Sequence, residues 1–141
     1  MSKFVLEDLN DVNGDVEFFK LLEEKVGLKH KVCYWNDFCK EIEDKTNWGG
    51  ELEALKAVMD DVANGQIVGK KWWRKYKGLE DTYEAKTDNL RAYLLKDENG
   101  YIIINASKKS DQDKGINKYR SITKRYLIEK QNAKRKNIKQ P

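Results

Sequence analysis

The sequence predicts an α+β fold: a small, mostly antiparallel sheet with N-terminal helices on one face and a basic helix at the C-terminus. Three observations carry this. Residues 82–107 fall into three consecutive runs of period two, Thr82–Thr87, Leu90–Lys96 and Tyr101–Ser107, joined by tight turns. Leu52, Leu55, Val58, Met59 and Val62 recur at helical spacing between Gly49-Gly50 and Asn64-Gly65. Ile116, Tyr119, Ile122, Tyr126 and Leu127 do the same, while Lys114, Lys118, Arg120, Lys124, Arg125 and Lys130 occupy the other faces of that helix.

In chain order, Phe4–Leu9 alternates and is expected to be an edge strand, and Asn10–Gly14 a turn. Asp15 stands where an N-cap belongs, and Phe18, Phe19, Leu22 and Val26 follow at helical spacing until Gly27, so a first helix is expected there. Asn36 is placed to cap a short helix that turns Phe38, Cys39 and Ile42 inward, and Thr46–Gly50 reads as loop. Gln66–Gly78 leads into the strands with five basic residues and three aromatics. Asp97-Glu98-Asn99-Gly100 supplies hairpin chemistry, because Asn-Gly tolerates positive φ at low cost. Ser110 or Asp113 caps the last helix, and the polar, basic stretch 132–141, which has no core residues, is expected to fray. Residues 1–131 thus form one domain.

A chain of 141 residues is long enough to bury roughly two thirds of its unfolded surface. No apolar run approaches the ~20 residues of a membrane span, and the N-terminus lacks the basic-then-apolar build of a signal peptide, so a cytoplasmic, membrane-free protein is expected. His30, Cys33 and Cys39 are too few and too loosely spaced for a structural zinc site, and two cysteines suit a reducing compartment. No glycine-rich phosphate loop, Gly-x-Ser-x-Gly or acidic metal cluster occurs, so no cofactor is expected. The net charge of +4 is unevenly spread: residues 1–68 carry −7, residues 69–107 carry +2 and residues 108–141 carry +9. A basic face that binds a polyanion, or a solvated basic helix and tail, follows from that gradient.

The order strand, helices, three-strand meander, basic helix resembles the RelE/ParE toxin superfamily, and within it the HigB-like, phage-derived branch. FVLEDLNDVNGDVEFFKLLEE (4–24) is similar to that branch's first strand, glycine turn and first helix. TYEAK (82–86) resembles its aromatic-Glu-x-basic strand, NLRAY (89–93) its arginine strand, and IIINASKKS (102–110) its apolar strand ending in a lysine pair. Residues 28–48 look inserted relative to the family, and Gly115 stands where the RelE pattern has a tyrosine six residues after its strand-end basic residue.

The resemblance implies a toxin that cleaves messenger RNA on the ribosome as a metal-independent endoribonuclease, held inactive by a cognate, helix-turn-helix antitoxin of HigA type. Two alternatives stand beside it, a ParE-like inhibitor of DNA gyrase and a non-catalytic RNA-binding or decayed toxin domain. Attack of a ribose 2′-hydroxyl on the adjacent phosphorus needs a proton acceptor, cations for the phosphorane and a donor for the leaving oxygen. Arg91 is the candidate for gripping the phosphate, since a guanidinium fork matches two of its oxygens; an ion pair with Glu84 competes for it. Lys86 is the candidate proton acceptor, provided neighbouring cations depress its pKa. Lys108 or Lys109 would neutralise charge or assist the leaving group, unless the pair serves only to blunt a strand edge. Lys75, Lys77, Lys118 and Arg120 are candidate RNA contacts, and Tyr119 would either stack on a base or pack in the core.

Overall fold

The computed structural model describes residues 3–139, with side-chain surroundings through residue 134. Its strands are β1 (Lys3–Asp8), β2 (Phe18–Glu24), β3 (Trp73–Lys75), β4 (Thr82–Lys86), β5 (Leu90–Asp97) and β6 (Gly100–Lys108). The helices are α1 (Tyr34–Lys45), α2 (Gly49–Ala63) and α3 (Gln112–Lys139), the last preceded by a 3-10 turn at Lys109–Asp111. The fold is α+β. One mixed sheet has the order β1-β2-β6-β5-β4-β3, in which β2 runs parallel to β6 and every other neighbouring pair is antiparallel. No helix among the described residues is long and apolar enough to cross a membrane.

The expected helix at Asp15–Gly27 is instead strand β2, hydrogen-bonded to β1 on one side and β6 on the other. The physical reason is burial on both faces. Phe18 packs with the α1/α2 core and Leu21 with the α3 core, so the strand loses the period-two alternation that would betray it, and Phe18, Phe19 and Leu22 happen to fit a helical stripe. Val26, the last apolar position of that stripe, is almost fully exposed beyond the strand. Helix α1 begins at Tyr34, before Asn36, with Cys33 at its N-cap, so Asn36 is not the cap; it accepts a hydrogen bond from Lys20 Nζ at 3.4 Å. Within the stretch 28–48, which looks inserted relative to the family, Trp35, Phe38 and Ile42 of α1 are core residues. The stretch expected to fray from Asn132 continues α3 through Lys139, because Gln, Ala, Lys and Arg readily extend a helix already nucleated by packing; residues 140 and 141 lie outside the described part.

The three-strand meander, the helix at 52–62 and the last helix stand where the periodicity put them. In the β5–β6 hairpin the positive φ falls on Gly100 (φ 137), while Asn99 donates its N–H to Asp97 Oδ1 at 2.8 Å. Gly100 is required twice over, because a Cβ there would also collide with the backbone of Glu17.

The two faces of the sheet bury different chemistry. Helices α1 and α2 cover one, packing Leu52, Leu55 and Met59 among others against Ala85, Leu90, Ala92, Leu94 and Ile103 of the sheet. Phe18, Trp73, Tyr83 and Tyr101 join that side in ring contacts of 5.1 to 6.1 Å. Helix α3 covers the other with Ile116, Tyr119, Ile122 and Tyr126 against Leu21, Tyr93, Leu95 and Ile102.

Candidate nucleic-acid interface

Period-two alternation sorts the candidate residues by face. Leu90 and Ala92 point to the α1/α2 core, so Arg91 between them points to the α3 side. Its lateral neighbours in register are Lys86 on β4 and Ser107 on β6. Glu84 shares the face two residues before Lys86 and is fully buried. Strand β3 adds a residue that the motifs did not single out. Arg74 pairs in register with Glu84, and its Nε donates to Glu84 Oε1 at 3.0 Å. Gln112, the first residue of α3, donates to Glu84 Oε2 at 3.4 Å. Lys109, whose N–H bonds Asn89 O at 2.7 Å, stands at the end of β6 near Lys86.

Three cations, Arg74, Arg91 and Lys109, therefore lie near Lys86 where the sheet meets the start of α3, with the buried Glu84 carboxylate held against Arg74. Lys86 feels both its burial and these neighbours. Burial first, then Arg74, hold its pKa below the ordinary lysine value; Glu84 pulls the other way, and Arg91 and Lys109 push it further down.

Arg91 is only 8 % exposed and turned inward. Its Nη1 donates to the carbonyls of Thr87 and, at 2.8 Å, Leu90, and its Nε is buried with no hydrogen-bond partner. The expected competitor, an Arg91–Glu84 pair, is replaced by Arg74–Glu84. The β4–β5 turn that holds Arg91 is itself fixed from α2: Glu51 accepts from Thr87 Oγ1 at 2.6 Å, from Asn89 Nδ2 at 3.0 Å and from the Asn89 backbone N–H. Against the rise that burial alone would cause, these donors together hold the Glu51 carboxyl below its ordinary pKa.

Other candidates stand elsewhere. Lys108 pairs with Leu90 on the α1/α2 side, its Nζ 6.0 Å from the Trp48 ring, so the lysine pair is split between the faces. Tyr119 cannot stack on RNA. It is buried at the α3–sheet contact, its hydroxyl shares a 2.8 Å hydrogen bond with Thr82 and donates to Leu94 O at 3.3 Å, and burial pushes its pKa up to about 12. Lys118 sits 4.4 Å over the Tyr34 ring, while Lys75, Lys77 and Arg120 are exposed on β3, after β3 and on α3. Trp73 is part of the aromatic cluster; Trp72 is 37 % exposed, with Lys71 Nζ 4.8 Å over its ring, and its carbonyl accepts the Lys86 N–H at 2.7 Å. Among the described residues no group of His, Cys, Asp and Glu is arranged to hold a metal ion, and Cys33 and Cys39 are free thiols.

Gly115 explains how α3 comes so close. A Cβ there would lie 2.6 Å from Ser107 Oγ and 2.9 Å from Tyr93 Cε2, so only glycine lets the first turn of α3 settle on these residues, whose hydroxyls share a 2.9 Å hydrogen bond. A separate groove of about 730 Å³ between the far half of α3 and the β4–β5 end is lined by Glu80, Asp81, Asp97 and Glu98 together with Lys96, Lys130 and Lys134, so its charge is mixed; Asp97 and Glu98 hold Lys130. Arg74 was hidden in the sequence among five basic residues of a linker; its position opposite Glu84 depends on a three-residue strand too short to leave a periodicity. No family model, no curated protein and no solved structure matches the chain.

Proposed function

We propose that this chain is a HigB-like toxin of the RelE/ParE superfamily, a type II toxin that cuts messenger RNA by 2′-hydroxyl attack without a metal ion. The observation that carries the reading is the grouping of Arg74, Arg91 and Lys109 near Lys86 on the α3 side of the sheet, beside the buried Glu84. The order of strand, helices, meander and basic helix supports it too, in β1, α1–α2, β4-β5-β6 and α3, although residues 18–24, which resemble the family's first helix, form strand β2 here and β3 adds an edge strand.

In this reading the O2′–P bond forms as the P–O5′ bond breaks, leaving a 2′,3′-cyclic phosphate and a 5′-hydroxyl. Lys86, with its lowered pKa, takes the 2′ proton in its neutral form. Guanidinium and ammonium groups neutralise the phosphorane, and Lys109 delivers a proton to the leaving oxygen. Because neutral Lys86 is the active form, cleavage rises with pH until the depressed lysine has lost its proton, and Lys86→Arg flattens the profile. An antitoxin would silence the protein by laying an acidic or helical segment over the basic face.

The test is analysis of message ends in a translation reaction. The expected products carry 5′-hydroxyl and cyclic phosphate ends; 5′-phosphate ends would overturn the mechanism, and intact message the nuclease reading. One observation favours a second reading, an RNA-binding domain that does not cut. The family's tyrosine position is Gly115, and the hydroxyls of Tyr93 and Tyr119 are buried in hydrogen bonds. Salt-dependent RNA binding without cleavage would identify it, whereas a DNA-damage response with intact transcripts would indicate gyrase.

A further inference from the structure

We infer that Arg74, and not Arg91, is the guanidinium that grips the RNA phosphate, and that Glu84 is the positioning residue that aims it. The inference rests on the cation cluster being a phosphate site, as the proposed function has it, and specifies which arginine makes the contact.

The two arginines differ in what they have left to give. Arg91 spends Nη1 on the carbonyls of Thr87 and Leu90, and its residue is 8 % exposed. Its role is to tie down the β4–β5 turn and to add positive potential from below. Arg74 is engaged through Nε alone, by Glu84, and its side chain is 43 % exposed. A guanidinium anchored by Nε keeps both terminal nitrogens for a two-oxygen contact, which is the geometry a phosphate rewards. The anchor is rigid because Glu84 is fully buried and receives Gln112 from α3 as well. The guanidinium carbon also sits 5.7 Å from the centre of the Tyr76 ring, a second restraint on its direction. Holding Arg74 beforehand reduces the side-chain ordering that binding would otherwise cost. The same arrangement explains why Arg74 presses on Lys86: a phosphate between them would relieve two cations at once.

The experiment measures binding of a fluorescein-labelled, single-stranded 2′-O-methyl RNA octamer, which cannot be cut, across a salt series. Wild type is compared with Arg74→Gln, Arg74→Lys, Arg91→Gln and Glu84→Gln, with thermal melts to verify folding. Arg74→Gln should weaken binding about tenfold at low salt, as loss of a charge-assisted contact does, and lower the salt slope by about 0.7. Arg74→Lys should keep most of the slope while losing affinity, because the charge remains and the fork does not. Glu84→Gln should keep the fold, since a side-chain oxygen still accepts from Nε, and bind within about threefold of wild type, while the further variant Glu84→Leu, which leaves the guanidinium unanchored, should lose affinity in the wild-type background and none beyond that of Arg74→Gln in its background. Equal binding by Arg74→Gln and wild type, with a large loss in a folded Arg91→Gln, would overturn the assignment and leave the phosphate site standing. Equal binding by all variants would instead remove the phosphate site, and with it the proposed function.

Discussion

The two faces of the sheet divide the work of the chain. Toward α1 and α2 the sheet presents Ala85, Leu90, Ala92, Leu94 and Ile103, an apolar surface with no buried charge among its described residues. Toward α3 it buries Glu23, Thr82, Glu84, Arg91, Asn105 and Ser107 beside its apolar residues. Each of the two buried glutamates on that side has an arginine, Glu23 from Arg125 at 2.8 Å and Glu84 from Arg74 at 3.0 Å. Apolar burial stabilises in proportion to area, whereas burying a charge costs free energy unless it is paired and hydrogen-bonded. Among the described residues every buried charge lies on one side, which keeps that cost away from the core under α1 and α2. The α3 side therefore carries the buried charged groups beside a second apolar core.

Substitutions can break or sharpen this contrast. The largest effect is expected on the apolar side. Leu52→Ala, at a fully buried position, should cost about 3 kcal/mol in a urea melt, without altering the RNA binding of the fraction that remains folded. Gly115→Ala comes next. Its new Cβ must displace Ser107 or lift α3, a loss of about 1–3 kcal/mol; Ser107→Gly in the same chain should recover most of it, which a double-mutant cycle by thermal melting would show. The smallest is Tyr119→Phe, which removes the hydroxyl bonded to Thr82 and Leu94 O and should cost about 1 kcal/mol. RNA binding unchanged in that variant would agree with a core tyrosine; a tenfold loss would put Tyr119 back in the interface.

The sequence made one face more legible than the other. Strands β4, β5 and β6 were legible because tight turns bound each run, Asp97–Gly100 above all, although β5 and β6 are buried on both faces for most of their length, and α2 shows an apolar stripe between glycines. The lysines and arginine of the meander were visible as a group for the same reason. Strand β2 was not, because a central strand covered on both faces loses its alternation and Phe18, Phe19 and Leu22 then imitate a helix. Nor could spacing say which of two arginines meets Glu84. That choice depends on the pairing of β3 with β4, a register in which Trp73 packs against Tyr83 and Tyr101. Lys108 and Lys109 look equivalent in sequence; the chain leaves β6 between them, and they part to opposite sides of the sheet.

The most direct test of the division compares two lysines that sequence alone would treat alike. Lys86→Ala and Lys108→Ala are each expressed beside the wild type, and the ends of translated transcripts are mapped. New ends in the wild type and in Lys108→Ala, absent in a folded Lys86→Ala, are the predicted result, because only Lys86 lies in the cation cluster on the α3 side. New ends in Lys86→Ala as abundant as in the wild type, or none in any strain, would contradict the placement of the active face.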